Sequence, residues 1–231
     1  MARRCIVGVM GGNGCDTQVF NDAREAGINI AKYDLILLTG AGSGDTGTHV
    51  KCAAMEGARK GRRIGIAPHG QRKLYLNGRE LFLHTATTSI ERDPITGTTA
   101  DVLIFFCGGS GTLIELCFAA MTGKPLYFWK AAQFLKKRAN SLLDADLNEA
   151  LGACRRTLGA VTGIGDSTCA ATLKKKLADT LAVAVDYSGT LDELLKNLSP
   201  MQCDFPTDFP GFRDTPQLKH DFESAVERLS R

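Results

Sequence analysis

The chain lacks most of the features that would assign it quickly. Its eight cysteines form no CxxC pair, and no histidine stands at zinc-site spacing from them. That leaves neither a zinc module nor a disulfide framework and points to a reducing compartment, the cytoplasm. No long apolar run is present. The run "CIVGVM" near the N-terminus is one strand long, is stopped by Gly11 and Gly12, and has no small-residue cleavage site behind it. Neither a signal peptide nor a membrane partner is expected. Charge of one sign is also missing: the formal net charge is +3, and the short runs at 136–138 and 174–176 have no aromatic residues interleaved. They read as solvated helix faces, with no nucleic-acid partner. There is no internal repeat and no low-complexity tract, and neither a metal site nor a resident cofactor is expected.

What is present is a regular alternation. Strand-like runs stand at Cys5–Met10, Leu35–Leu38, Arg63–Ala67, Val102–Phe106 and Leu126–Trp129, and Leu35–Leu38 is apolar without alternation, as a strand covered on both faces is. Helix-like segments stand at Asp16–Lys32, Val50–Lys60 and Thr112–Met121, a less regular stretch follows Pro68 to about Thr88, and the segment Ser89–Ala100 leads into the fourth strand. The order predicts an α/β fold, a Rossmann-like doubly wound parallel sheet forming a single domain over residues 1–198. Residues 131–180 read as a helical insertion, with helices over Ala131–Leu158 and another, capped by Asp166 or Ser167, running through Leu177. A last strand in "LAVAVDY" precedes a helix whose Thr190 and Glu193 have capping-box spacing. The stretch 199–231 is a proline-punctuated tail with a short helix from about Gln217.

Three glycine loops fall at the carboxyl ends of these strands: "MGGNG" (Met10–Gly14), "TGAGSGDTGTH" (Thr39–His49) and "CGGSGT" (Cys107–Thr112). In a doubly wound sheet this is where helix N-termini present free N–H groups to a ligand, so the loops predict a phosphate-bearing small molecule. The candidate ligand residues are Gly11, Gly12, Gly40, Gly42, Ser43 and Gly44 in the first two loops, and Gly108, Gly109, Ser110, Gly111 and Thr112 for the phosphate. Gly42, Gly44 and Gly47 spell GxGxxG, but no acidic residue ends a following strand to hold ribose hydroxyls, which argues against NAD. No lysine follows Gly47 where a Walker A loop requires one.

"CGGSGTLIEL" resembles the PGGxGTxxE motif of the LONELY GUY (LOG) family, formerly described as lysine decarboxylase-like, and of the wider SLOG superfamily, which includes molybdenum-cofactor carrier proteins. An arginine stands fifteen residues before the motif in that family, and Arg92 stands fifteen before Cys107. The resemblance spans about Arg3–Trp129 and the closing strand and helix to Leu198, leaving the 131–180 segment and the tail outside. It implies a cytoplasmic homodimer or homotetramer that binds a nucleotide-like small molecule. It also implies a catalytic pair, Glu115 at the ribose and water and Arg92 steadying the ligand, for hydrolysis of a nucleoside 5'-monophosphate to base and ribose 5-phosphate. A single carboxylate serving an oxocarbenium-like transition state makes physical sense.

Two departures open an alternative. Cys107 stands where the family has proline, and Asp93 follows Arg92 where LOG enzymes have lysine, a charge reversal resembling the cofactor-carrier branch, which binds a phosphorylated pterin or nucleotide without turnover. A regulatory sensor domain is a third reading. Plainer roles also stay open: Thr112 and Glu115 have capping-box spacing, Arg92 has Glu91 and Asp93 as possible ion-pair partners, Cys107 reads as a buried inert thiol, and His49 and His69 read as loop histidines or base contacts.

Overall fold

The computed structural model describes residues 2–41, 48–69, 79–85, 87–130, 133–158, 170–187, 189–199 and 202–204. A seven-stranded sheet holds the centre. Its strands are β2 (Ile6–Met10), β3 (Ile36–Thr39), β4 (Arg62–Ala67), β5 (Glu80–His84), β6 (Val102–Phe105), β7 (Leu126–Trp129) and β8 (Val185–Tyr187). All pair in parallel, in the order β5-β4-β3-β2-β6-β7-β8. The chain therefore winds outward from β2 to β5, crosses back, and winds outward again from β6. The fold is Rossmann-like, and its switch point lies between β2 and β6, where the two loops leave the sheet on opposite sides and open a crevice.

Side-chain alternation divides the core in two. Ile6, Met10, Leu103 and Phe105 point to one face and Val7, Val9, Val102 and Ile104 to the other, all essentially buried. The second face is covered by α1 (Thr17–Lys32), α2 (Val50–Gly57) and α8 (Leu191–Leu198). On α1, Val19, Ala23, Ala26 and Ile30 keep helical spacing on the buried stripe, and Asp16 caps the helix by accepting from the Val19 N–H at 2.8 Å. The first face carries α4 (Ser110–Met121), with α3 (Ser89–Thr99) packed beside α4.

The segment read as an insertion forms α5 (Gln133–Asn140), α6 (Asp144–Leu158) and α7 (Ala170–Val183). It is part of the first layer: Leu135, Leu147, Leu151, Leu173 and Leu177 are buried in the same cluster as Leu116 and Phe118 of α4. Each such leucine contributes about 1.5–3 kcal/mol on burial. The expected strand "LAVAVDY" is shorter than its apolar run, because Leu181–Val183 continue α7 and only Val185–Tyr187 pair with β7. The stretch expected to be irregular contains β5. The tail begins as β9 (Gln202–Asp204), antiparallel to β1 (Ala2–Arg4). The rest of the tail, its helix from Gln217 and the proposed caps Asp166 and Ser167 lie outside the described residues. No described helix is long and apolar enough to cross a membrane.

Candidate ligand-binding site

A cavity of about 290 Å³ opens at the switch point, at the lower end of the range for small-molecule sites. Its floor is the backbone that leaves β2 and β6. Gly12 ties the floor together: its N–H donates to the Cys107 carbonyl at 3.1 Å, and its carbonyl accepts from Val50 N–H at 3.3 Å.

Helix starts distinguish this end of the sheet. The helices α1, α3 and α8 are each closed by a side chain: Asp16, Thr88 and Thr190, the last two in capping boxes with Glu91 and Glu193. The helices α2 and α4 begin at His49 and Gly109 with no side-chain cap. At Gly109 a β-carbon would meet nothing within 4 Å. The start of α4 is thus open at Gly109, with no side-chain cap on its N–H groups and the positive end of its dipole, while at Gly111 the Asp93 carboxylate lies against the backbone where a β-carbon would sit. Because α4 starts at Ser110, Thr112 is already its third residue and Glu115 its sixth. The capping box suggested by their spacing does not form, and both side chains face the cavity.

Arg92, Asp93 and Glu115 make one buried cluster, each less than a tenth exposed. Arg92 Nη2 pairs with Asp93 Oδ1 at 2.9 Å, and Nη1 donates to Glu115 Oε1 at 3.2 Å and to Thr96 Oγ1 at 3.1 Å. Its Nε has no partner among the described residues. Glu91 is engaged in the cap of α3, so of the two suggested ion-pair partners Arg92 takes Asp93. The guanidinium rests on Gly40, where any β-carbon would overlap it. That explains a glycine at this strand end without requiring an unusual backbone angle there.

One guanidinium cannot compensate two buried carboxylates. Burial, reinforced by the charge of Asp93, pushes the Glu115 carboxyl up to about 8 against the pull of Arg92 and Lys51. Burial likewise raises Asp93, to about 6, although Arg92 and Lys51 oppose it. Burial and the neighbouring Asp93 charge therefore both favour the neutral form of Glu115. Lys51, on the first turn of α2, also faces the cavity, and its pKa is lowered by burial and by Arg92.

Of the residues selected from the sequence, Gly11, Gly12, Gly40, Arg92, Gly109, Ser110, Gly111, Thr112 and Glu115 line this one cavity. Gly108 does not. It lies behind the wall, its α-carbon about 3.0 Å from where a Gly12 β-carbon would sit and its own face covered by Thr112. Gly42, Ser43 and Gly44 lie outside the described residues. His49, His69 and Cys107 are not in the lining, and burial raises the Cys107 thiol rather than activating it. None of the described residues of α5–α7 lines the cavity. Asn13, Lys51 and Ser89 line it without having been selected; the signal for the last two was their place in a helix's first turn beside a strand-end loop.

The sequence profile of the SLOG cluster4 family matches residues 4–152, well over half the chain. The chain belongs to the SLOG cluster4 family. The match takes in α5 and part of α6, which the motif-based resemblance had left outside. Solved structures similar to this SLOG protein include two described as binding or carrying molybdenum cofactor. The molybdenum cofactor carrier protein of Chlamydomonas reinhardtii is 29% identical, with a TM-score of 0.51, over 68% of this chain and 99% of that one. The molybdenum cofactor binding protein of the phototrophic bacterium Rippkaea orientalis is 28% identical, also with a TM-score of 0.51, over 60% of this chain and 85% of that one. No curated protein matches the chain.

Proposed function

We propose that this SLOG protein binds a phosphorylated small molecule of the pterin class, as in the molybdenum cofactor, and holds it without cleaving it. The uncapped start of α4 suits a phosphate: backbone N–H groups and the helix dipole favour an anion, and the open face of Gly109 lets one approach. Similarity to two molybdenum-cofactor binding and carrier proteins supports the pterin over a nucleotide.

The observation that carries the reading is the Asp93–Arg92–Glu115 cluster. N-glycosidic hydrolysis needs an ionised carboxylate to orient water and stabilise positive charge developing on the sugar. Here Asp93 places a second negative charge beside Glu115, favouring the neutral acid, and draws one arm of Arg92 away from the ligand. A neutral Glu115 can donate a hydrogen bond and position a ligand, but it is a poor base. The phosphoribohydrolase reading is accordingly set second.

The test is to incubate the protein with molybdenum cofactor and, separately, with a panel of nucleoside 5'-monophosphates. Retention of the pterin through gel filtration, with no ribose 5-phosphate released from any nucleotide, is expected. Release of ribose 5-phosphate that disappears in Glu115→Gln would reinstate the hydrolase.

A further inference from the structure

We infer that Lys51, rather than Arg92, is the side-chain cation that meets the phosphate of the ligand, and that Arg92 is a positioning residue for the two carboxylates. This rests on the anion-binding reading of the site and assigns the charge recognition within it.

Arg92 is already committed. Both of its terminal nitrogens are engaged, by Asp93 on one side and by Thr96 and Glu115 on the other, and Gly40 supports the guanidinium from behind. Turning it toward a ligand would leave two buried carboxyl groups without their cation, which is costly. Lys51 is in the opposite situation. It lines the same cavity, it is partly buried, and among the described residues its ammonium makes no hydrogen bond and no ion pair. It is also the second residue of α2, a helix with no side-chain cap, where the dipole disfavours a cation. Arg92 adds like-charge repulsion, partly offset by Glu115, Asp93 and Cys52.

In the free protein Lys51 acts on Glu115 and Asp93 only through its field, without a direct bond to either. Burial, the helix end and Arg92 all work against its charge, and an arriving dianion relieves all three. The first turns of α2 and α4 both border the cavity, so a phosphate held by α4 N–H groups lies within the field of the Lys51 ammonium.

The experiment uses the full chain with inorganic phosphate as probe, at constant ionic strength, reading the rise in melting temperature. Wild type, Lys51→Met and Lys51→Arg are compared. Lys51→Met is expected to bind phosphate about 10- to 100-fold more weakly, and Lys51→Arg to recover most of the loss. Without phosphate, Lys51→Met is expected to melt no lower than wild type, an outcome a structural lysine would not give. Unchanged phosphate affinity in Lys51→Met, or a lower melting temperature in its free form, would overturn the assignment of Lys51 alone. A wild-type protein that phosphate does not protect would overturn the anion-binding reading together with it.

Discussion

The guanidinium of Arg92 lies against the backbone of Gly40, so close that a β-carbon there would overlap Nη1 and come within 2.8 Å of Cζ. The last turn of chain after β3 and the first turns of α3 are thereby locked together. The position of Arg92, and through it of Asp93 and Glu115, depends on a missing methyl group.

Gly40→Ala is expected to displace the guanidinium. Overpacking of this kind costs about 1–3 kcal/mol. A lower urea midpoint is predicted, together with weaker protection by phosphate, because the carboxylates lose their alignment. An unchanged midpoint would show that Arg92 has another seat.

Arg92→Met removes a cation bonded to two buried carboxyl groups, and breaking such a pair costs about 3–5 kcal/mol when both partners stay charged. The remaining groups can take up protons, however. The loss is therefore predicted to be larger at pH 8.5 than at pH 5.5, measured by urea denaturation at both values.

The wild-type protein carries a related pH dependence. Glu115 titrates near 8 in the fold against an ordinary 4.5, and Asp93 near 6 against 3.8. Both are raised, so the folded state binds more protons than the unfolded chain between those limits. Their contribution to stability is fully present on the acid side and is lost as pH rises through about 6 and then about 8. Glu115→Gln is expected to flatten the upper part of that slope, giving a smaller fall in stability from pH 6 to 8 than wild type shows.

Much of this was legible in the sequence, for reasons that differ by element. Continuous apolar strands such as "LILL" and "VLIFF" announce a sheet covered on both faces, and glycine clusters at their ends announce a backbone close to something. Both signals are local. Other features were not. The strand β5 is an edge strand whose residues are at most half-buried, so "ELFLH" carries no clean pattern. The packing of α5–α7 onto α4, and of β9 beside β1, depends on partners far away in the chain. From sequence a lysine on a helix reads as solvated, whereas the fold turns the first turn of α2, with Lys51, toward the crevice. The spacing of Thr112 and Glu115 suggests a cap, but α4 begins at Ser110, two residues before Thr112.

The central claim is that the open N-terminus of α4 receives an anion, and Gly109→Asp tests it most directly. There is space for the side chain, and an aspartate at this position would cap the helix and complement its dipole, stabilising the free protein by about 0.5–1 kcal/mol. The same carboxylate would occupy the N–H groups and repel an incoming phosphate. Thermal unfolding with and without inorganic phosphate is therefore predicted to show a free melting temperature raised by about 1–4 °C and no further rise on adding phosphate. A Gly109→Asp protein that phosphate protects as strongly as wild type would contradict the account.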